Sequence, residues 1–309
     1  MNFKKFILIV IVIIFFYIIY KLLTQQASTT NITNAENQVT ISSTALNTTN
    51  TSSVNYAMSI WFYVQNWDYN YGKMKPLLSR GLNFSDGSFN STCPSTCNQL
   101  LGCCANGSVP TSNQCMSGPV FSSCEEYSFF QLLSDMSNNP QIAPPSPLIL
   151  LGESLNNIYI LQSIVKSPTN SEHVNTVTNW LIQTPNFFEF DIYISVLENF
   201  PIQRWNNLII SFYGRSLDIY LEGKLVKTSL LPNIVYSNNN TSDVVITPNG
   251  GFNGFTSKFQ YFANPLNPQQ AWNIYQKGYT SSVFGGLLSK YKIQFSLMDG
   301  NTVENSFDF

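Results

Sequence analysis

Short apolar runs that alternate with polar residues recur along this chain, with turn residues between them. The clearest case is IQRWNNLIISFYGRSLDIYLEGKLVKT at 202–228, where alternating runs flank a short turn and then a Glu-Gly turn. Successive side chains of a strand point to opposite faces of a sheet, so this pattern predicts strands with one buried face. The chain is therefore predicted to be all-β, with most of its length in one large domain.

One short helix interrupts the predicted strands. NPQQAWNIYQKG has Asn267 at the N-cap, Pro268 at the first helical position and Gly278 just past the end. The other predicted strands cover 56–67, 75–81, 147–165, 187–197, 244–247, 258–263, 291–298 and 302–309, and the last two flank a hairpin turn at 299–301. Four aromatic residues on these strands are predicted to lie in the sandwich core: Trp61, Trp205, Phe212 and Tyr220.

The N-terminus predicts a membrane anchor over residues 1–23. Residues 6–20 are all apolar, and 6–23 as a helix span about 27 Å, enough for a hydrocarbon core. A cleaved signal peptide is the alternative, but no small-residue cleavage site follows. Lys4 and Lys5 place the N-terminus in the cytoplasm, so the rest is expected across the membrane as a single-pass protein. A flexible Ser-, Thr- and Asn-rich stalk is predicted at 24–53, then the main domain at 54–309.

The stalk and the predicted loops contain several N-x-[ST] sequons, which are candidate glycosylation sites. In a chain rich in Asn, Ser and Thr such matches also arise by chance, so each is weak evidence by itself. The candidates are Asn31, Asn47, Asn50, Asn83, Asn90, Asn106, Asn239 and Asn240.

All six cysteines lie in an insert at about 84–127 that interrupts the strand pattern. They are Cys93, Cys97, Cys103, Cys104, Cys115 and Cys124. The surrounding residues are too polar to form a core, so three disulfides are predicted to order the insert. Zinc and free thiols are the alternatives, although no histidine lies nearby. The connectivity stays open, and the insert is either a stapled recognition knob or a stabilised loop.

The order of elements resembles the laminin-G-like, or concanavalin A-like lectin/glucanase, superfamily. The resemblance rests on the hairpins at 202–228 and on GGFNGFTSKFQYFANPLNPQQAWNIYQKG, and it covers about 56–278 apart from the insert. It implies a two-sheet antiparallel jelly roll. Together with SIWFYVQNWDYNYG and the predicted anchor, the chain resembles membrane-anchored members encoded by large nucleocytoplasmic DNA viruses.

The resemblance implies a non-enzymatic, lectin-like recognition or adhesion module in a virion membrane, with a glycan or a protein as its ligand. The alternative is a structural virion protein that links the membrane to capsid proteins. Glycoside hydrolysis is less favoured. EFDIY at 189–193 resembles the glucanase E-x-D-x-E strand, but Tyr193 replaces the second catalytic carboxylate. His173 and Ser171 cannot be assembled into a catalytic triad.

Trp67, Tyr69 and Tyr71 occur at a predicted strand end and are the candidate ligand contacts, because aromatic rings stack on sugar faces. No catalytic residue, metal site or cofactor is assigned. Calcium is the alternative considered for carboxylates near predicted turns, namely Asp68, Asp86, Asp218 and Asp243. Charged residues make up only 10% of the chain and the net charge is -2, so nucleic acid is excluded as a partner. The predicted partners are a lipid bilayer, through residues 6–23, and a glycan or protein ligand.

Overall fold

The computed structural model describes most of the predicted β domain. The described residues are 31–46, 54–82, 103–104, 120–121, 127–129, 131, 143–166, 179–184, 188–236, 242–280, 294–299 and 302–308. Within these ranges no helix has the length and apolar character needed to cross a bilayer. The predicted anchor at 6–23, His173 and Asp86 lie outside the described residues.

Two antiparallel sheets form a sandwich, which confirms the predicted all-β, two-sheet class. Sheet A consists of β1 (Thr33–Asn34), β3 (Tyr56–Asn66), β11 (Trp205–Tyr213), β12 (Ser216–Leu221), β13 (Lys224–Leu230) and β15 (Asn253–Phe262). Sheet B consists of β2 (Val39–Ile41), β4 (Lys75–Arg80), β7 (Leu148–Leu151), β8 (Ile158–Val165), β9 (Asn179–Ile182), β10 (Phe190–Leu197) and β14 (Val244–Ile246). Their strand orders are β1-β15-β3-β11-β12-β13 and β2-β14-β4-β7-β8-β10-β9.

Two further strand pairs lie outside the sandwich sheets. β5 (Cys103–Cys104) pairs with β6 (Val120–Phe121) inside the cysteine-rich insert. β16 (Gln294–Asp299) pairs with β17 (Thr302–Asp308), which confirms the predicted C-terminal hairpin. Short 3-10 turns occur at Ser43–Leu46 and Pro248–Gly250.

The main core lies between the two sheets and follows the strand alternation. Leu208, Ile210 and Phe212 of β11 and Ile219 of β12 are at most 1% exposed and belong to this core. The residues next to these in each strand point to the outer face of sheet A, because side chains alternate along a strand. Ile219 thus lies on the buried inner face, as the alternation of apolar and polar residues in 217–221 predicts.

Part of the predicted stalk joins the sandwich, which differs from the flexible segment expected there. β1 pairs with β15 at one edge of sheet A, and β2 pairs with β14 at one edge of sheet B. The strands are only two and three residues long, so the alternation of Val39 and Ile41 in β2, which pack against the main core, is too short to predict a strand. Backbone hydrogen bonding to an open sheet edge is enough to order such a segment.

Helix α1 (Pro268–Gln276) confirms the predicted helix and its start signal. The Asn267 side chain accepts a hydrogen bond from the Gln270 backbone N–H at 2.9 Å, and the Gln270 side chain accepts one from the Asn267 N–H at 2.9 Å. This capping box satisfies two backbone donors that the first turn would otherwise leave unpaired. Pro268 occupies the first turn, as predicted.

Helix α1 covers the outer face of sheet A. Ala271 and Ile274 of the helix pack against Ala57, Ile209 and Tyr220 of the sheet. Sheet A is therefore buried on both faces beneath the helix, and an apolar outer position of this sheet is as well buried as an inner one.

This second buried layer corrects the predicted core list. Phe212 lies between the sheets, but Trp61, Trp205 and Tyr220 do not. The β11–β3 register runs without a bulge from Trp205 opposite Tyr63, so the odd-numbered residues of β11 face away from the main core. Alternation correctly predicts which residues of a strand share a face. The core assignment of Trp61, Trp205 and Tyr220 is wrong because the outer face of sheet A is also buried, under α1.

The outer face of sheet B is also apolar and is covered by residues that flank the insert. Phe129 packs with its ring centroid 5.2 Å from that of Tyr159, and Leu82 belongs to the same cluster. The Ser128 hydroxyl donates to the Glu153 carboxylate. The chain just after the insert is thus fixed to the sandwich.

Candidate functional site

Five aromatic rings from four parts of the chain line a cavity of about 330 Å³ on the outer face of sheet A. Trp61 comes from β3, Trp205 from the first position of β11, Trp272 and Tyr275 from α1, and Tyr279 from the segment after the helix. We call this cavity the aromatic pocket. Its rings are brought together by strand pairing on one side and by the docking of α1 on the other.

The rings of the aromatic pocket form two stacks in contact. Trp205 and Tyr279 have centroids 4.4 Å apart and an interplanar angle of 9°, while Trp61 and Tyr275 are 5.6 Å apart at 16°. Trp61 also meets Tyr279 edge-on at 6.0 Å, which joins the two stacks. Trp272 is the most exposed of these five rings, at 37%. Such ring pairs hold one another in place, so the pocket walls are largely preformed.

A tight turn lets α1 approach the sheet closely enough to form the pocket. Glu222 and Gly223 connect β12 to β13 and both have positive φ, 55° and 71°. A Cβ at Gly223 would lie 2.8 Å from Tyr275 Cβ and 3.2 Å from Trp272 Cα. Only glycine fits there without moving the helix.

The charged groups at the pocket neutralise each other. Arg204 Nη2 lies 2.9 Å from Glu222 Oε2, and Glu222 Oε1 accepts a hydrogen bond from the Asn207 backbone N–H at 2.9 Å. Burial raises the pKa of Tyr275, and the charge of Glu222 and a hydrogen bond with it raise that pKa further. Glu222 therefore connects the sheet, the helix and Arg204, which lines this pocket.

Two buried polar atoms beside the pocket lack hydrogen-bond partners in the described structure. They are the Nε1 donor of Trp61 and the Oδ1 acceptor of Asn207. These residues lie directly opposite each other on β3 and β11, so their Cβ atoms are about 5 Å apart on the same face. The register thus places a residue with an unpaired donor and a residue with an unpaired acceptor opposite each other on the outer face of sheet A, with both polar atoms buried.

The segment after α1 is fastened to β15. The Ser257 hydroxyl donates to the Tyr279 carbonyl at 2.7 Å, and Lys258 Nζ donates to the carbonyls of Lys277 and Gly278 at 3.1 and 2.9 Å. Burial lowers the pKa of Lys258, and the charge of Lys277 lowers it further. These contacts hold the Tyr279 ring against Trp205.

The predicted ligand contacts lie in the loop after β3, outside the aromatic pocket. Trp67 packs against the main core, its Nε1 donates to the Ser154 carbonyl at 3.1 Å, and Lys75 Nζ lies 4.5 Å from its ring centroid. Tyr69 is half-buried, and Tyr71 is 61% exposed. Ligand contact by these three residues stays a prediction.

The two carboxylates of the glucanase-like strand have different surroundings. Asp191 is buried, accepts a hydrogen bond from the Thr184 backbone N–H at 3.0 Å and lies 3.9 Å from Lys166 Nζ. Glu189 is exposed, and the Tyr236 hydroxyl lies 3.4 Å from it. Asp191 is thus held by structural contacts.

The carboxylates considered for calcium do not come together in the described residues. Asp218 accepts a hydrogen bond from the Thr228 hydroxyl at 2.7 Å, and Asp243 accepts one from the Ser43 N–H at 2.8 Å, while Asp68 lies in the loop after β3. No group of three or more metal-ligating side chains occurs in this part of the chain.

Few of the predicted modification sites fall on described residues. Cys104 is buried and disulfide-bonded, in agreement with a cross-linked insert, but the three predicted disulfides as a set stay a prediction. Asn31 is exposed. The other seven sequons lie outside the described residues.

Sequence reasoning missed the aromatic pocket as a site. The strand pattern predicts Trp61 and Trp205 to be core residues, whereas both line the pocket. The pairing of Trp272 and Tyr275 three residues apart on one helix face was visible in the sequence. The sequence does not reveal the β3–β11 register, which places Trp61 and Trp205 on the outer face of sheet A.

No protein-family model and no curated protein matches this chain. Solved structures that resemble it are binding domains of botulinum neurotoxins. The receptor-binding domain of botulinum neurotoxin D has a TM-score of 0.40 at 10% identity, over 82% of this chain and 45% of that chain. The serotype D ligand-binding domain in complex with N-acetylneuraminic acid has a TM-score of 0.39 at 9% identity, over 82% and 45%. The serotype G binding domain has a TM-score of 0.33 at 12% identity, over 72% and 36%. This chain spans less than half the length of each of these structures.

Proposed function

We propose that this chain is a membrane-anchored, non-enzymatic carbohydrate-binding module and that the aromatic pocket binds an uncharged sugar. The observation that carries the proposal is the convergence of five aromatic rings on one cavity of about 330 Å³. Cavities of roughly this size and larger, with apolar walls and a few polar groups, are typical of small-molecule sites. Sugar rings have flat C–H faces that pack on aromatic rings.

Polar side chains also line the aromatic pocket, namely Arg204, Glu222 and Gln276. A hydroxyl is both a donor and an acceptor, so the hydroxyl groups of a sugar are able to pair with the donors of Arg204 and Gln276 and with the acceptors of Glu222 and Gln276. The lining therefore suits a hydroxylated ligand.

The charge balance of the pocket favours an uncharged ligand. Arg204 is paired with Glu222 at 2.9 Å, so a sugar carboxylate would have to compete with an existing carboxylate for the guanidinium. We propose that neutral hexoses and N-acetylhexosamines are preferred over sialic and uronic acids.

The absence of catalysis is part of the proposal. Asp191 is engaged by Thr184 and Lys166. Among the described residues, Glu222 is the one carboxylate that lines the aromatic pocket, and it is paired with Arg204. Hydrolysis of a glycosidic bond normally needs two carboxyl groups that flank it. Hydrolysis of a glucan by the purified chain, abolished in a Glu189→Gln variant, would overturn this part.

Membrane display through residues 6–23 is likewise proposed, on the strength of their apolar character and of Lys4 and Lys5. Protease treatment of sealed membranes is expected to leave only an N-terminal fragment of a few kilodaltons. Protection of the whole chain would show the opposite orientation.

A virion membrane is the location that the resemblance to viral proteins implies, and proteomics of purified virions would test it.

A glycan array probed with the purified full-length chain tests the binding function. We expect neutral glycans to be retained by the wild type, and retention to be lost in Trp272→Ala. Trp272 is 37% exposed and lies outside the buried core, so we expect Trp272→Ala to fold, which thermal denaturation checks. Tyr213→Ala is the matched control, because Tyr213 is 67% exposed and lies outside the aromatic pocket. Equal retention by wild type and Trp272→Ala, or no retention of any neutral glycan, would contradict the proposal.

A further inference from the structure

Three aromatic side chains form a straight row across three neighbouring strands of sheet A. Phe255 of β15 lies directly opposite Tyr63 of β3, and Tyr63 lies directly opposite Trp205 of β11. Their ring centroids are 6.4 Å and 5.8 Å apart in that order. Directly paired residues of adjacent strands share one face of a sheet. We call these three residues the aromatic row.

The aromatic row begins in the aromatic pocket and leads away from it. Trp205 belongs to both, and on the pocket side it stacks on Tyr279 at 4.4 Å. From Trp205 the row crosses β3 and reaches Phe255, next to the edge strand β1. The pocket and the row therefore make one continuous aromatic surface, perpendicular to the strands.

The aromatic row is accessible and uncharged. Phe255 is 37% exposed, and Tyr63 and Trp205 are half-buried. The next residue in line across the strands is Asn34 of β1, opposite Phe255, which is exposed and polar. The row thus presents three aromatic side chains and then an amide, and none of these side chains is ionised. Such a surface suits a chain of uncharged sugars.

We propose that the ligand is a linear, uncharged oligosaccharide, with one sugar in the aromatic pocket and the following sugars stacked along Trp205, Tyr63 and Phe255. This inference rests on the proposed glycan-binding function and adds the class of glycan. The neighbouring ring centroids of the row are 5.8 and 6.4 Å apart and their planes are tilted by 53° and 48°, so successive rings offer separate contacts to successive sugars of an extended, twisted chain. A branched or compact glycan would leave Phe255 without a partner.

The competing explanation is that the aromatic row only stabilises the sheet. Cross-strand aromatic pairs do contribute to strand pairing. That role accounts for contacts between the rings but predicts no relation between ligand length and affinity. Length dependence is therefore the property that separates the two explanations.

Isothermal titration calorimetry of the full-length chain with two oligomer series tests the inference. The probes are β-1,4-linked glucose and β-1,4-linked N-acetylglucosamine oligomers of one to six sugars. We expect affinity in at least one series to rise about tenfold or more from one to four sugars and then to level off. We expect Phe255→Leu to weaken binding of the tetramer about tenfold while leaving the monomer unchanged.

Phe255→Leu keeps an apolar side chain in the sheet and removes the ring, so thermal denaturation is expected to show a folded domain. Trp272→Ala should weaken all lengths by the same factor, and Tyr213→Ala should weaken none. Binding that does not change with length, or an equal loss for monomer and tetramer in Phe255→Leu, would overturn the extended site but leave the glycan-binding function standing. No binding of any oligomer, with neutral glycans retained on the array, would also overturn it, whereas an empty array would reject the function itself.

Discussion

The rings of Trp205 and Tyr279 lie parallel, with centroids 4.4 Å apart and 9° between their planes, although 74 residues separate them in the chain. Trp205 starts β11, and Tyr279 follows α1 on a segment that Ser257 and Lys258 hold to β15. This stack joins the aromatic pocket to the aromatic row. It therefore lies at the centre of the proposed glycan site.

Replacing Tyr279 with Ala removes one of the two rings of this stack, and with it the edge contact to Trp61. We expect affinity for neutral glycans to fall by about tenfold or more, and Tyr279→Phe to retain most of it, because the ring and not the hydroxyl makes both contacts. Calorimetry with the best array ligand measures this. Loss of binding in Tyr279→Phe as strong as in Tyr279→Ala would assign the effect to the hydroxyl.

Glu222→Gln is expected to change the charge preference of the site. The amide keeps an acceptor for the Asn207 N–H but no longer neutralises Arg204. We expect affinity for sialic and uronic acid glycans to rise by about tenfold, since the free guanidinium attracts a carboxylate. The double variant Arg204→Gln, Glu222→Gln is the control and should lose this gain. An unchanged ratio of anionic to neutral binding in Glu222→Gln would contradict the role of the pair.

Ile219→Ala is expected to destabilise the sandwich by about 2–5 kcal/mol, because Ile219 is fully buried between the sheets and its truncation leaves a cavity. Urea denaturation measures the change. Val226→Ala on the neighbouring strand β13 is the matched control, since Val226 is 45% exposed. There we expect a change within about 0.5 kcal/mol. Similar values for the two variants would show that Ile219 is not a core residue.

Lysines with lowered pKa values, chiefly Lys75 and Lys227, make the free energy of unfolding depend on pH in the alkaline range. Burial lowers the pKa of Lys75 to about 8, although the charge of Glu153 raises it. Burial likewise lowers the pKa of Lys227 to about 8, although the charge of Glu198 raises it. In the unfolded chain both titrate near 10.5. Between these values the unfolded state binds more protons than the folded state, so the free energy of unfolding rises as pH increases through this window.

Urea denaturation from pH 8 to pH 10 measures this rise. Above 10 the unfolded tyrosines ionise, while burial raises the pKa of Tyr56 and Tyr193 in the folded state, which lowers stability in turn. We expect Lys75→Met and Lys227→Met each to remove part of the rise and the double variant to remove most of it, while Lys258, whose pKa burial also lowers, accounts for the remainder. A free energy of unfolding that falls between pH 8 and 10 would be inconsistent with the lowered lysine pKa values.

Mass spectrometry of non-reduced peptides is expected to find three disulfides within residues 93–124. Cys104 is already seen to be disulfide-bonded. Reduction should loosen the insert but leave the sandwich folded, because the paired strands of sheets A and B contain no cysteine. Six alkylatable thiols in the native protein would contradict this prediction.

The sequence by itself determined the local elements. Alternation in 205–230 predicted β11, β12 and β13, and the Asn267, Pro268 and Gly278 signals predicted α1. These predictions succeeded because strand alternation and helix capping depend on residues a few positions apart. The short strand β2 was missed because it is held by pairing with β14, more than two hundred residues away.

Only the tertiary structure decided which residues form the candidate site. Alternation states that Trp205 and Phe212 lie on opposite faces of β11, but it does not state that α1 covers one of those faces and sheet B the other. Trp61, Trp205 and Tyr279 meet through the β3–β11 register and the docking of α1 over Gly223. These contacts depend on packing between distant segments, and the local pattern of the sequence carries no information on that packing.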